Sequence, residues 1–162
     1  MLPYYEEIED KRIPEVIEFL EQGKNLALVS DAGTPLISDP GFRLVRECIG
    51  RNIKVESIPG PSAILAALTS SGLPTDKFIF LGFVSPKNFK CVQHGVTAIF
   101  YAAPHKLLQN LKDIQAKFGD IDIVVARKLT KIHEEVWRGK ISEALEYFKN
   151  PQGEFVLLIH SS

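Results

Sequence analysis

Three features of the sequence predict an α/β protein. Short apolar runs of strand length recur along the chain, at 26–29, 78–83, 97–102, 121–126 and 154–160. Between them lie segments whose apolar residues repeat at helical spacing, and Gly, Pro and Asp gather where the strand-like runs end.

In chain order, residues 11–22 read as a helix, with Pro14 near its start, Val16, Ile17 and Leu20 on one face and Gly23 past its end. Leu26 to Val29 is an apolar run expected to be a buried strand, and it stops abruptly at Ser30-Asp31. Gly33 permits a close approach to the main chain, Thr34 offers a hydroxyl, and Asp39-Pro40 fits an N-cap and first helical residue. Leu44, Val45, Cys48 and Ile49 mark the inner stripe of the next helix, and residues 53–58 alternate like a half-buried strand, completing a βαβ unit. Pro59-Gly60-Pro61-Ser62 turns the chain into a helix over 62–71, rich in small residues and stopped by Gly72.

Residues 73–77 read as a linker, which divides the chain into domains 1–75 and 76–162. The second half is expected to run strand 78–83, loop 84–96, strand 97–102, helix 105–118 ending at Gly119, strand 121–126 and a strand around 134–138. Helix 142–149, with Ser142 as N-cap, and strand 154–160 complete a mixed sheet. The first half offers two strands against three helices, fewer strands than a covered parallel sheet carries, so that domain is expected to be incomplete at its N-terminus.

At 162 residues and 45% hydrophobic composition the chain can bury a real core. No apolar run approaches the roughly 20 residues of a membrane span, and residues 1–7 lack the pattern of a secretory signal, so a cytoplasmic protein without a membrane partner is the expectation. Cys48 and Cys91 have neither metal-ligand nor disulfide spacing, and no metal is expected. A formal net charge of -1 argues against gripping nucleic acid by bulk electrostatics. One local basic stretch stands out: Arg127, Lys128, Lys131, Arg138 and Lys140, partly offset by Glu134 and Glu135. Such runs are more often solvated faces than phosphate sites.

Spacing alone leaves the 30–41 loop open between a plain strand-to-helix turn and a ligand loop. Its wording is more specific. Ser30-Asp31-Ala32-Gly33-Thr34-Pro35, then Ile37-Ser38-Asp39-Pro40-Gly41 and Ile58-Pro59-Gly60-Pro61-Ser62-Ala63, resembles the ribosomal RNA small-subunit methyltransferase I family, of the tetrapyrrole-methylase fold group. The resemblance runs from about Ile13 to about Ile159. It implies two small α/β domains of tetrapyrrole-methylase type, the first lacking the family's opening βαβ region and its Gly/Pro turn. It implies S-adenosylmethionine as cofactor, held between the domains by Asp31, Ala32, Gly33 and Thr34 with Pro59, Gly60, Pro61 and Ser62.

Further on, Tyr101, Pro104 and His105 carry over from the family's Tyr-Glu-Ser-Pro-His-Arg segment, and Tyr101 joins the implied cofactor site. Ala102, Ala103 and Lys106 depart from that segment. Residues 126–131 and 134–139 resemble Ala-Arg-Glu-Leu-Thr-Lys and Glu-Glu...Arg-Gly, with Lys128 where Glu is usual. The implied reaction is methylation of the ribose 2′-hydroxyl of a cytidine in 16S ribosomal RNA by a homodimer, with Thr130, Lys131 and Glu134 as catalytic candidates. Loop 84–96 is shorter than the family's basic segment, its basic residues being Lys87, Lys90 and His94. Two other readings stand beside this one: a catalytically silent cofactor-binding or assembly module of the same fold, and a precorrin methyltransferase.

Overall fold

Apolar residues at helical spacing fold Glu9–Glu21 into α1 and Phe42–Gly50 into α2 of a computed structural model that describes residues 1–161. These helices form the core of one compact unit, Met1–Ser62, in which Val16 and Ile17 of α1 meet Leu44 and Cys48 of α2. The buried carboxylate of Glu9 ties the pair together. Its Oε1 accepts a hydrogen bond from the Tyr4 hydroxyl at 3.0 Å and from the Gly41 amide at 3.0 Å, while Arg43 lies 3.8 Å from Oε2. Burial and the bond to Glu9 both push the Tyr4 phenol well above its ordinary range.

Several expectations for this unit are corrected. Neither 26–29 nor 53–58 forms a strand, and Leu26, Val29, Val55 and Ile58 are exposed, Val29 and Ile58 by 69% and 79%. Apolar patterning provides only one side of a ladder, and no described strand pairs with either segment. Helix α2 begins at Phe42 rather than at Pro40, because Gly41, at φ 129°, directs its amide to Glu9. Ile49 faces solvent.

The second unit, Ala63–Ser162, holds the larger core. Its strands are β1 (Phe78–Phe83), β2 (Thr97–Ala102), β3 (Asp122–Arg127), β4 (Glu135–Lys140) and β5 (Phe155–His160), in the order β1-β2-β5-β3-β4. Strand β1 is parallel to β2, and the other neighbouring pairs are antiparallel, which makes the sheet mixed as expected. On one face, Leu107, Leu111 and Ile114 of α4 (Leu107–Phe118) and Ile141 and Ala144 of α5 (Ile141–Tyr147) pack against Phe100, Val125 and Leu157. The other face is covered by Ile64, Ala67 and Leu68 of α3 (Ala63–Ser71) against Ile99, Val124 and Leu158. Helix α3 thus belongs to the sheet's unit, although it precedes the 73–77 linker.

Loop 84–96 contains a 3-10 helix, Pro86–Cys91, held by the Asn88 side-chain Nδ2 donating to Leu81 O at 2.8 Å. The expected helix 105–118 begins instead as a 3-10 turn, Pro104–Lys106, before α4 proper starts at Leu107; its stop at Gly119 is the one the sequence predicts. Ser142 is not the N-cap of α5. It sits inside the first turn, and its amide and hydroxyl both donate to Asp120, at 2.8 and 2.7 Å. Arg138 closes the far end of α3, donating from Nε to Ser71 O at 2.8 Å and from Nη2 to Ser70 O. A cation on the last carbonyls of a helix satisfies orphan acceptors and favours the dipole.

Two outcomes follow from this packing. Leu157→Ala removes a side chain buried in the middle of the sheet and should cost about 2–5 kcal/mol, whereas Val29→Ala should change stability by less than about 0.5 kcal/mol in denaturant melts. The Asp120 carboxyl is held below its usual range by its bonds to Ser142, so its contribution is present above the ordinary carboxylate pKa and lost as pH falls through the depressed folded value. Asp120→Asn should therefore flatten the fall in stability below about pH 4 in acid titrations.

Candidate functional site

In the first unit the chain's two Gly/Pro turns meet. The Thr34 hydroxyl donates to Pro61 O at 2.9 Å, and a side chain built on Gly33 would lie 3.6 Å from the same oxygen. One built on Gly60 would lie 3.7 Å from Thr34 Oγ1. Asp31, Ala32, Gly33 and Thr34 are thereby brought against Pro59, Gly60 and Pro61, with Ser62 leading into α3. The Ser30 hydroxyl folds back onto Ala32 O and Gly33 O at 3.3 and 3.2 Å, which tightens the first turn. Asp31, Ala32 and Gly33 are exposed, and their main-chain N–H groups donate to no partner among the described residues. Gly33 has φ 74°, a conformation that only glycine adopts without strain.

The second unit carries the catalytic candidates on one loop, at the carboxyl end of β3. Thr130, Lys131 and Glu134 are exposed and adjacent. Glu134 Oε2 accepts the Thr130 amide, Lys131 Nζ contacts Glu154 Oε2 at 2.8 Å, and the Lys128 amide donates to Glu154 O at 3.0 Å. Lys128 lays its alkyl stem over Gly153, leaving no room there for a Cβ. The loop is therefore a small scaffold in which Glu134 holds Thr130, and Glu154 holds Lys128 and Lys131. Tyr101, near the end of β2, stands edge-on to Phe80 and Phe83, with ring centroids 4.8 and 5.8 Å away.

Backbone strain marks both loops. Among the described residues, five other than glycine have positive φ: Leu36 and Ser38 in the first loop, Lys128 and Thr130 in the second, and Asn52 elsewhere. Left-handed non-glycine residues cluster at ligand and catalytic sites because surrounding contacts over-determine them there.

Two groupings were not legible beforehand. Arg127 Nε lies 2.6 Å from Glu135 Oε2, with its guanidinium over the Phe148 ring, and Tyr147 donates to Glu135 Oε1. The bond and charge of Glu135 raise the Tyr147 pKa. His105, Lys149, Asn150 and Gln152 line a cleft of about 390 Å³. The polar run Lys149-Asn150-Pro151-Gln152 was the available signal for the second grouping. Among the described residues, no set of three or more His, Cys, Asp or Glu is placed to hold a metal, and no helix is long and apolar enough to cross a membrane.

The family model described as Tetrapyrrole (Corrin/Porphyrin) Methylases matches residues 4–145. The chain is 47% identical to the ribosomal RNA small subunit methyltransferase I of Synechocystis sp., covering 98% of this chain and 60% of that protein. It is 42% identical to the protein of the same name from Thermotoga maritima, covering 98% and 75%. Among solved structures it resembles the methyltransferase CobJ, with a TM-score of 0.68 at 17% identity, covering 94% of this chain and 71% of that one. It also resembles uroporphyrin-III C-methyl transferase from Thermus thermophilus complexed with S-adenyl homocysteine, with a TM-score of 0.61 at 15% identity, covering 96% and 74%. At those identities the two structures bear on the fold alone.

Gly33→Ala meets an ordinary contact at Pro61 but a strained φ, so it should lower stability by about 1–2 kcal/mol, read as a shifted denaturation midpoint.

Proposed function

We propose that this chain, which belongs to the tetrapyrrole methylase family and within it to the ribosomal RNA small subunit methyltransferase I proteins, transfers a methyl group from S-adenosylmethionine to the ribose 2′-hydroxyl of a cytidine in 16S ribosomal RNA. The observation that carries this reading is the pairing of the two Gly/Pro turns through Thr34 and Pro61, beside a run of exposed main-chain donors. Glycine at 33 and 60 keeps the opposing surfaces thin, as a cradle for a nucleoside or amino-acid moiety requires. In this reading Asp31, Ala32, Gly33, Thr34, Pro59, Gly60, Pro61 and Ser62 hold the cofactor, and Tyr101 is assigned from the resemblance of its segment.

When bound, S-adenosylmethionine supplies an activated methyl on a sulfonium whose departure leaves a neutral thioether. The protein's task is to align and deprotonate a weakly acidic hydroxyl in a place poor in water. Glu134 commits one carboxylate oxygen to the Thr130 amide, which leaves its other oxygen and the Thr130 hydroxyl to receive the ribose hydroxyl. Lys131, oriented by Glu154, adds positive charge beside them. Lys128 reverses the charge usual in the family, and its backbone and stem serve the scaffold instead.

The same reading includes a homodimer in the cytoplasm. Exposed Phe78 and Phe83 on edge strand β1 support the dimer, since an apolar edge is a pairing surface. Sedimentation should give a dimer at micromolar concentration, and a monodisperse monomer would remove that part.

Activity is tested by incubating the protein with small ribosomal subunits and labelled S-adenosylmethionine, then digesting the RNA to nucleosides. Label in 2′-O-methylcytidine is expected. A base-methylated product, transfer to a precorrin, or a chain that does not bind the cofactor and is therefore a silent module would contradict the reading. Glu134→Gln, which keeps an acceptor for the Thr130 amide, should lower turnover by roughly 10²–10⁴-fold without changing cofactor affinity.

A further inference from the structure

The cleft beside the carboxyl end of β2 has a composition that the methyl-transfer loop does not use. Its polar lining consists of His105, Lys149, Asn150 and Gln152, between Pro104 and Pro151, with no carboxylate among the lining residues. Imidazole, ammonium and carboxamide groups all present N–H donors, and the fixed φ of the two prolines restricts the backbone that carries them. Lys149 is paired with Glu146 at 2.7 Å, but the two side chains are 67% and 76% exposed, so the pair is weak and the lysine can turn to a stronger anion. A volume of about 390 Å³ accommodates a phosphate with part of its sugar.

The segment that floors the cleft, 149–152, runs directly into Gly153 and Glu154, and these two residues hold Lys128 and Lys131 of the loop bearing Thr130. A larger cleft of about 630 Å³ lies elsewhere, lined by Lys87, Lys90 and Lys117, and there the lysines share the lining with Asp113 and the Phe89 ring. Of these two clefts, the first combines a lining without carboxylates with continuity to the candidate catalytic loop.

We propose that the His105–Lys149–Asn150–Gln152 cleft binds a phosphodiester of the substrate RNA strand, anchoring the backbone near the nucleotide whose ribose is methylated. This rests on the proposed RNA substrate and adds to it a place where the strand is held. Phosphate contacts of this type position a nucleic acid without reading its sequence. Lys149 and His105 are positioning residues, and their loss should act on RNA binding rather than on chemistry.

The test measures binding of fluorescently labelled 16S-derived RNA to the full chain, saturated with S-adenosylhomocysteine, over a range of salt concentrations. Lys149→Glu should weaken binding about tenfold or more and make the dependence of log K on log salt shallower by about one, while S-adenosylhomocysteine affinity stays unchanged. His105→Ala with Gln152→Ala should weaken binding in the same direction without altering net charge at Lys149. Lys117→Glu in the other cleft makes the same charge change and should have little effect. Equal weakening by Lys117→Glu would reduce the effect to bulk charge and overturn the proposal, as would unchanged RNA affinity in both cleft variants. If inorganic phosphate perturbs the amide resonances of residues 149–152 at concentrations as low as the RNA does, the cleft is a free-anion site and the RNA assignment fails. Wild-type protein that binds no RNA overturns the substrate reading itself; wild type that binds with indifferent cleft variants overturns this inference alone.

Discussion

Strand β5 is the constraint on which the second unit depends. It lies between β2 and β3 and pairs antiparallel with both, so its backbone supplies ladder hydrogen bonds on two sides. Phe155, Leu157 and Ile159 enter the layer beneath α4 and α5, and Val156 and Leu158 enter the layer beneath α3. A run apolar at five consecutive positions is what a strand buried on both faces requires. Because β2 and β3 both oppose β5, their carboxyl ends converge where β5 begins. Ligand-binding loops gather at such strand ends. Here Glu154, one residue before β5, reaches into the Lys128–Lys131 loop, and the 149–152 cleft opens next to it.

Most of this unit was legible in the sequence, because its elements announce themselves locally. Phe78–Phe83 and Thr97–Ala102 occupy the strands that their apolar runs foretell, and Gly119 ends α4 where it should. Boundaries moved where a distant side chain intervened. Asp120 reaches Ser142 across 22 residues and becomes the acceptor for the first turn of α5, a role that the local pattern assigned to Ser142 itself. Arg138 reads as part of a solvated basic run, yet it caps a helix 67 residues earlier in the chain. Nothing in the neighbourhood of either residue encodes such a contact.

The first unit was less legible. A strand exists only with a partner, and the patterns at 26–29 and 53–58 describe side chains, not pairing. The wording of the turns survived where the strands did not, since Gly33, Thr34, Gly60 and Pro61 come together through one hydroxyl and one carbonyl. The chain spans 60% of the length of the Synechocystis relative that it matches. Strain at Leu36, Ser38, Lys128 and Thr130 could not be read from residue type, because each of these side chains ordinarily disfavours positive φ. It is the feature that the two candidate loops share.

The central claim is that the paired turns form a cofactor cradle, and residue-resolved NMR with S-adenosylhomocysteine tests it most directly. Saturable perturbation of the Asp31, Ala32, Gly33, Thr34, Gly60 and Ser62 amides is the predicted result, with the Ala32 and Gly33 N–H groups gaining protection from exchange. Saturable binding that leaves those amides unmoved, or no binding at millimolar ligand, would contradict it.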